Sequence, residues 1–243
     1  MHTLSSSQYM QSLRSSIDDL QVLSVNNLDK QVPDCPGWTV QDLISHVGKV
    51  FAMVDAVVLP RSLVRVGPGS EAQAPHEDQV SSWFAQRCDS VLESLSGVSP
   101  EEKMWTWSSH ETASFYFRRM AHESAMHLCD LQRALGMEMS MNRDIACDGI
   151  DELYLEMLPF WAKRNQRELP RGSLHLHCTD GAGEWLLTPH GFDLEVVHAH
   201  AKGDVAWRGS AVALISAAWG RKNTGLEVLG DISVSEEWNS CAP

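Results

Sequence analysis

The amino-acid sequence predicts an α+β protein of two domains, a helical N-terminal part followed by a smaller α/β part. Apolar residues recur every three or four positions along much of the first part, which is the spacing of amphipathic helices. From about residue 174 apolar and polar residues alternate, which is typical of strands. Because the helices come first and the strands follow, separate domains are favoured. We expect the domains to span residues 1–165 and 166–243.

Four amphipathic helices are predicted in the N-terminal domain, enough to form a four-helix bundle. Each shows apolar residues at helical spacing, and a loop-forming stretch follows it. The predicted ranges are 5–25, 40–57, 76–96 and 113–135. Thr39 is a suitable N-cap for the second helix, since Asp42 lies in its first turn.

The C-terminal part begins after a further helix, predicted at about 144–164. Residues 174–179 and 184–188 are predicted to be two strands, and the glycine-containing segment between them is typical of a hairpin turn. Further strands are predicted at 192–198, 205–208 and 226–229, with a helix after the N-cap Ser210.

Charge and composition exclude several classes of function. The chain carries 19 Lys and Arg against 32 Asp and Glu, a net charge of −13, which argues against nucleic acids and anionic membrane surfaces as partners. No apolar run approaches the roughly 20 residues that span a bilayer, and the N-terminus lacks a signal-peptide pattern, so we expect a cytosolic protein. Six singly spaced cysteines suit reduced thiols. Nucleotide-binding glycine motifs and the serine hydrolase motif are absent.

Three polar residues fall on the apolar stripes of predicted helices. Glu123 and His127 are four residues apart, and His46 lies three residues after Leu43 and four before Val50. Residues four apart on a helix share a face, so Glu123 and His127 can reach one ion. Buried carboxylate and imidazole groups need a partner, and two imidazoles with one carboxylate form the donor set of an open zinc site. This pattern indicates a metalloenzyme.

Simpler interpretations of the same residues remain open at this stage. A Glu-x-x-x-His pair is common on solvated helices, and a single inward histidine is often a hydrogen-bonded core residue. His122 is five positions from His127, so it does not share the face, and the segment is one residue too long for H-E-x-x-H.

Two further histidine pairs occur in predicted strand regions. Each pair is two residues apart, so its members share a face of the strand and could chelate a metal. Without a suitable carboxylate or cysteine nearby in the sequence, we interpret all four as surface histidines. They are His175 with His177 and His198 with His200.

Several stretches resemble signatures of one known family. Val32–Val40, continuing through His46-Val47-Gly48, and Arg119–His127 with Asp130 are similar to the two N-terminal signatures of the mycothiol-dependent maleylpyruvate isomerase family, a DinB-like group. The stretches that resemble its later blocks are Asp148–Glu152, Thr179-Asp180-Gly181, Glu184-Trp185-Leu186, Val205–Ala211 and Trp219-Gly220-Arg221.

The resemblance implies a DinB-like four-helix bundle and a small C-terminal α/β domain of the sterol-carrier-like type. It implies a divalent metal, usually zinc, held by His46, Glu123 and His127. Mycothiol is the implied cosubstrate or cofactor. Arg221 is our candidate for the arginine of the C-terminal domain that assists catalysis in the isomerase.

Two departures from the family pattern bear on the reaction. Leu128-Cys129 stands where members often have Arg-Trp, and residues 219–223 match only in part. We therefore favour S-transfer slightly over thiol-dependent cis–trans isomerisation. Both reactions begin when a metal lowers the pKa of a thiol and the thiolate attacks an electrophilic carbon. The expected partners are a low-molecular-weight thiol and a small-molecule electrophile.

Two alternatives use the same three ligands. A non-catalytic protein that binds a small apolar ligand would hold the metal in a closed site with a fourth protein ligand, for which Cys129 and Cys35 are candidates. A metal-dependent hydrolase is the other, but no extra general base is evident. The sequence leaves the electrophile and the oligomeric state open.

Overall fold

The protein is described here from a computed structural model that covers residues 4–75, 79–222 and 225–242. The chain divides into two compact units, Leu4–Ser140 and Met141–Pro243. The division predicted after residue 165 lies further along the chain. It would leave the helix beginning at Arg143 with the bundle, whereas that helix packs against the helix Ala211–Ala218 of the C-terminal unit.

The N-terminal unit contains four long helices in its described part, and their bounds confirm the four predicted ranges. They are α1 (Ser6–Ser24), α2 (Val40–Val58), α3 (Val80–Ser96) and α4 (Ser114–Ala134). The first residues predicted for α3, 76–78, lie outside the described residues. Thr39 caps α2 as predicted, since its hydroxyl accepts from the Asp42 amide and the Asp42 carboxylate accepts from the Thr39 amide.

The four helices pack in contacting pairs around a common core. Helix α1 lies along α4, and α2 lies along α3 and also contacts α4. Gly48 permits the close approach of α2 and α3, because a Cβ at this position would lie 2.5 Å from the Trp83 ring. Helix α4 is the most enclosed of the four, and nearly all its residues from Phe115 to Gln132 are buried. Its polar side chains therefore need partners inside the protein.

The C-terminal unit is built on a five-stranded sheet with the order β3-β2-β1-β4-β5. The strands are β1 (Leu174–Cys178), β2 (Glu184–His190), β3 (Asp193–Val197), β4 (Val205–Gly209) and β5 (Glu227–Gly230). Strands β1 and β4 pair in parallel, and the other neighbours are antiparallel. One face of the sheet buries Leu174, Leu176, Trp185, Leu187 and Trp207.

Helices contribute to this unit before, between and after the strands. The predicted helix 144–164 is interrupted: α5 (Arg143–Glu152) is followed by a π-helical turn (Leu153–Met157) and by α6 (Leu158–Asn165). Pro159 explains the interruption, because it has no N–H to donate to the carbonyl four residues earlier and its ring crowds that carbonyl.

Two more helices complete the unit. Helix α7 (Ala211–Ala218) confirms the helix predicted after Ser210, and α8 (Ile232–Ser240) was not predicted. Asp231 caps α8 by accepting from the amides of Ser233 and Val234. Both helices contact β1 and β4. Among the described residues, no helix is long and apolar enough to cross a bilayer.

Candidate metal centre

The structure brings the three predicted ligands together inside the N-terminal unit. Glu123 Oε1 lies 3.1 Å from His46 Nε2 and 3.4 Å from His127 Nε2. Around a tetrahedral zinc ion with ligand bonds of about 2.1 Å, neighbouring donor atoms lie about 3.4 Å apart. The two imidazole rings are 4.9 Å apart between centroids. The spacing of the three donors therefore fits a shared divalent ion.

Helix packing explains why these donors converge. Glu123 and His127 lie one turn apart on α4, and the contact between α2 and α4 brings His46 alongside them. The side chains of Glu123 and His127 are 11% and 10% exposed, whereas that of His46 is 37% exposed. The cluster is therefore enclosed on the α4 side and accessible on the His46 side.

Arg119 fixes the orientation of the Glu123 carboxylate. Its guanidinium lies one turn before Glu123 on α4, and Nη2 donates to Glu123 Oε2 at 2.5 Å. The other carboxylate oxygen, Oε1, is the one that faces the two histidines. Burial alone would raise the pKa of Glu123, but Arg119 and the two imidazoles outweigh it and hold the pKa well below its usual range. Glu123 is thus an anionic donor.

Asp130 orients His127 from the opposite side of the ring. Its Oδ2 lies 3.0 Å from His127 Nδ1, and Asp130 is only 1% exposed. Burial opposes charge on His127, yet the hydrogen bonds to Asp130 and Glu123 raise its pKa to about 9. A bound metal would displace the Nε2 proton, and the carboxylate on Nδ1 would keep the remaining proton on that nitrogen. Nε2 is the nitrogen that faces Glu123.

The loop between α1 and α2 forms one side of the centre. The Trp38 ring lies 5.1 Å from the ring of His46 and 6.4 Å from that of His127, measured between centroids. The Cys35 thiol lies 3.7 Å from Asp130 Oδ2, within hydrogen-bonding distance for sulfur. This loop therefore contacts both the histidines and the carboxylate that orients one of them.

The candidates for a fourth protein ligand do not join the cluster. Among the described residues, the group of donor atoms within 4.8 Å of one another contains neither Cys35 nor Cys129. His122 does not join it either and packs edge-on against Tyr9, as its spacing on the helix predicts. The arrangement is that of an open site with three protein donors, which argues against the closed structural site considered above.

Arg221, the predicted catalytic arginine, belongs to the C-terminal unit. Its Nη1 donates to the Trp219 carbonyl at 2.7 Å, and its guanidinium carbon lies 5.6 Å from the centre of the Trp219 ring. Its catalytic role stays a prediction.

Sequence reasoning assigned no role to three residues that shape the centre: Arg119, Asp130 and Trp38. Two of them could have been found from helical spacing, because Arg119 precedes Glu123 by four residues and Asp130 follows His127 by three. Trp38 could not, since it reaches the histidines through the loop geometry.

The interpretation of the four strand histidines as surface residues is wrong for His175 and agrees with the exposure of His198 and His200. His175 is buried, at 6% exposure, and lies 2.5 Å from Glu184 on the neighbouring strand. His198 lies 2.7 Å from the buried Asp151. Sequence reasoning found no suitable carboxylate for these histidines because the partners are distant in sequence or in another strand.

Fold and site together define a class: a two-unit α+β protein whose helical unit presents an open His-Glu-His cluster. The family model described as the mycothiol maleylpyruvate isomerase N-terminal domain matches residues 9–132. The chain therefore belongs to this family.

Solved structures show the same fold. A crystal structure of the mycothiol-dependent maleylpyruvate isomerase matches with a TM-score of 0.66 and 14% identity, covering 94% of this chain and 95% of that one. A mutant of that enzyme matches with the same TM-score and 13% identity over the same shares. These matches confirm the predicted two-domain α+β fold. No curated protein matches the chain.

A third solved structure, the ubiquinone synthesis protein UbiJ-SCP2, matches with a TM-score of only 0.28 and 19% identity. It covers 42% of this chain and 93% of that one. This score is too low to support a fold assignment, so the sterol-carrier-like character of the C-terminal unit stays a prediction.

Proposed function

We propose that this protein is a metal- and thiol-dependent enzyme that isomerises a small unsaturated substrate. The cluster of His46, Glu123 and His127 binds a divalent metal, with zinc as the first candidate, and mycothiol is the thiol. The observation that carries the proposal is the placement of Glu123 Oε1 within 3.4 Å of both imidazoles, at the spacing of donors around one ion. Membership of the isomerase family supports it.

The protein residues prepare the site for an anionic sulfur. A divalent ion held by two neutral imidazoles and one carboxylate keeps a net positive charge and lowers the pKa of a thiol from about 8.5. Arg119 adds positive charge behind Glu123 and keeps Oε1 directed at the histidines. Asp130 holds His127 with Nε2 towards the cluster. The exposed edge of His46, beside Trp38, is the side open to a thiol.

The proposed reaction is nucleophilic and reversible. The thiolate adds to one carbon of a double bond conjugated to a carbonyl, a C–S bond forms, and the electron pair of the double bond moves to the carbonyl oxygen. Rotation about the resulting single bond, return of the electron pair and cleavage of the C–S bond release the thiolate and the other geometric isomer. Arg221 is our candidate for pairing with a carboxylate of the substrate.

S-transfer shares the first step and differs in the last one. If the carbanion equivalent is protonated before the sulfur leaves, the thiol stays on the product. The sequence favoured this outcome slightly, because of the Leu128-Cys129 departure and the partial match at residues 219–223. Family membership fits isomerisation better, so we place isomerisation first.

The test is an assay of the purified full-length protein with mycothiol and maleylpyruvate, followed by chromatography of both substrates and mass spectrometry. We expect isomerisation that requires the thiol, falls on chelation and returns with zinc. His46→Ala should abolish it, and His190→Ala, an exposed histidine of the sheet, should not. A stable adduct between the thiol and the substrate would show that the reaction is S-transfer and not isomerisation. Turnover equal to that of His46→Ala would overturn the proposal.

A further inference from the structure

A second cluster of histidines and a carboxylate lies in the C-terminal unit. The antiparallel pairing of β1 with β2 places His177 opposite Glu184 and His175 opposite Leu186. Alternate residues of a strand point to the same side, so His175, His177 and Glu184 share one face of the sheet. His200, from the connection between β3 and β4, also reaches Glu184.

The carboxylate of Glu184 is the centre of this cluster. Its Oε2 lies 2.5 Å from His175 Nε2, and its Oε1 lies 2.6 Å from His177 Nδ1 and 3.1 Å from His200 Nδ1. His175, Glu184 and His200 each offer a donor atom within 4.8 Å of the other two. Imidazole nitrogens and a carboxylate oxygen are the donors that Zn²⁺ and similar divalent ions bind. The 2.5 Å contact is a hydrogen-bond distance, so a metal ion would replace that hydrogen bond and separate the two side chains slightly.

The charges around Glu184 also favour a cation. Within the described part of the chain, Glu184 forms its ion pairs with histidines. Arg208, opposite His177 on β4, pairs with Glu227 instead, at 2.8 Å. The Glu184 carboxylate faces three imidazole nitrogens, and each of these can either carry a proton or bind a metal. One divalent ion could bind a nitrogen of both His175 and His200, and its positive charge would offset the negative charge of the Glu184 carboxylate.

We propose that His175, Glu184 and His200 form a second divalent-metal site, separate in the chain from the ligands on α2 and α4. His177 lies within hydrogen-bonding distance of Glu184 Oε1 and would orient the carboxylate, in the manner of the groups that support metal ligands. The site ties the β1–β2 hairpin to the β3–β4 connection, so its expected effect is structural. The ligand class is a borderline transition metal that prefers imidazole, with Zn²⁺ as the first candidate.

The experiment counts metal equivalents on the full-length protein. Metal-free protein is loaded with Zn²⁺, passed through a desalting column and analysed for bound zinc; Co²⁺ loading then reports nitrogen and oxygen coordination by visible absorption. We expect two equivalents in the wild type and one in His200→Ala. The His200 side chain is 78% exposed, so its removal should leave the fold intact. His46→Ala should also hold one, and the double variant none.

Controls separate the two sites from each other and from unfolding. His190→Ala removes an exposed histidine of the same sheet, 3.7 Å from Glu195, and should keep both equivalents. In the His46→Ala background, Zn²⁺ should raise the midpoint of thermal unfolding, and adding His200→Ala should remove that rise.

The outcomes decide each site independently. Two equivalents in His200→Ala, or no zinc in His46→Ala, would overturn the second site. A single wild-type equivalent that persists in His46→Ala and disappears in His200→Ala would support the second site and contradict the metal centre of the proposed function.

Discussion

The two histidine-glutamate clusters of this protein share their donor types and differ in how the donors are held. In the helical unit, all three donors lie on α2 and α4, and the Glu123 and His127 side chains are about one-tenth exposed. In the sheet unit, His175 is equally enclosed, but His200 lies on a connection and its side chain is 78% exposed. Donors on packed helices are positioned before any ligand binds, whereas a donor on a connection must be ordered at an entropic cost.

The two carboxylates also differ in what balances their charge. Glu123 has a buried guanidinium, Arg119, on one oxygen and imidazoles on the other. Glu184 has imidazoles on both oxygens. Arg119 offsets the charge of Glu123 whether or not a metal is bound. The charge next to Glu184 depends on whether its histidines carry a proton or bind a metal.

The largest expected effect distinguishes these two carboxylates in metal-free protein. Glu123→Gln removes the countercharge of Arg119, which is 5% exposed, and should lower the free energy of unfolding by on the order of 3 kcal/mol. The matched variant Glu184→Gln leaves amide and imidazole groups that can still hydrogen-bond, so its loss should be much smaller. Urea unfolding of both variants measures the difference.

Neutralising the arginine as well supplies the control for that prediction. Arg119→Met combined with Glu123→Gln removes both buried charges, so it should recover part of the lost stability. Equal losses of unfolding free energy in Glu123→Gln and Glu184→Gln would show that Arg119 does not make the charge of Glu123 more important for stability than that of Glu184.

A smaller effect concerns Asp130, the carboxylate that orients His127, a proposed metal ligand in the helical unit. Asp130→Asn weakens the hold on His127 Nδ1 and should reduce zinc affinity of that site by about 10- to 100-fold, while zinc on the sheet site is unaffected. Competition with a chromophoric chelator in the His200→Ala background measures it. Asp89→Asn, an exposed acid on α3, is the control. An unchanged zinc affinity in Asp130→Asn would show that Asp130 does not support metal binding by His127.

Helix packing should matter for the helical cluster only. Gly48→Ala places a methyl group against Trp83 and should cost about 1–3 kcal/mol in stability, and it should weaken zinc binding by α2 and α4 without changing the sheet site. Gly67→Ala, where a Cβ meets nothing within 4 Å, is the matched control. Chemical unfolding and the zinc count check both parts. Equal effects of the two substitutions would show that the contact at Gly48 is not tight.

The smallest effect concerns a buried carboxylate outside both clusters. Among the described residues, Asp55 has no histidine partner, and its pKa shifts in the opposite direction from that of Glu123. Asp55, buried on α2 and hydrogen-bonded to Ser94, has a raised pKa because burial outweighs its hydrogen bonds and Arg87. A raised folded pKa means that its contribution to stability is present below the unfolded pKa and is lost as pH rises through the folded value. Asp55→Asn should therefore flatten the loss of stability as the pH rises above about 4. Denaturant titrations at several pH values measure it, and an unchanged slope would contradict the raised pKa.

The helices and the helical cluster could be predicted to a large extent from local sequence. Capping at Thr39, the positions of α1 to α4 and the shared face of Glu123 and His127 depend on residues within one or two turns of each other. The third ligand on α2 was harder to connect. The predicted inward position of His46 suggested that it is a ligand, but only the 3.1 Å distance to Glu123 shows that the two side chains converge.

Other features depend on contacts that the sequence does not display. His175 and His200 both contact Glu184, which lies on a different strand or connection from each of them. Strand β1 pairs in parallel with β4, although β2 and β3 lie between them in the sequence. The helix α8 went unpredicted because its periodic signal is short and mixed with polar residues.

By itself, the sequence determined the helical periods, the strand alternation and the donor types, because each depends on the chemistry and spacing of near neighbours. The kind of protein followed from the resemblance of its motifs to one family. Only the tertiary structure decided which donor atoms lie close together and which charged groups offset their carboxylates. Strand register, helix packing and loop position bring together groups far apart in the chain, and their distances arise from the packing of the whole unit.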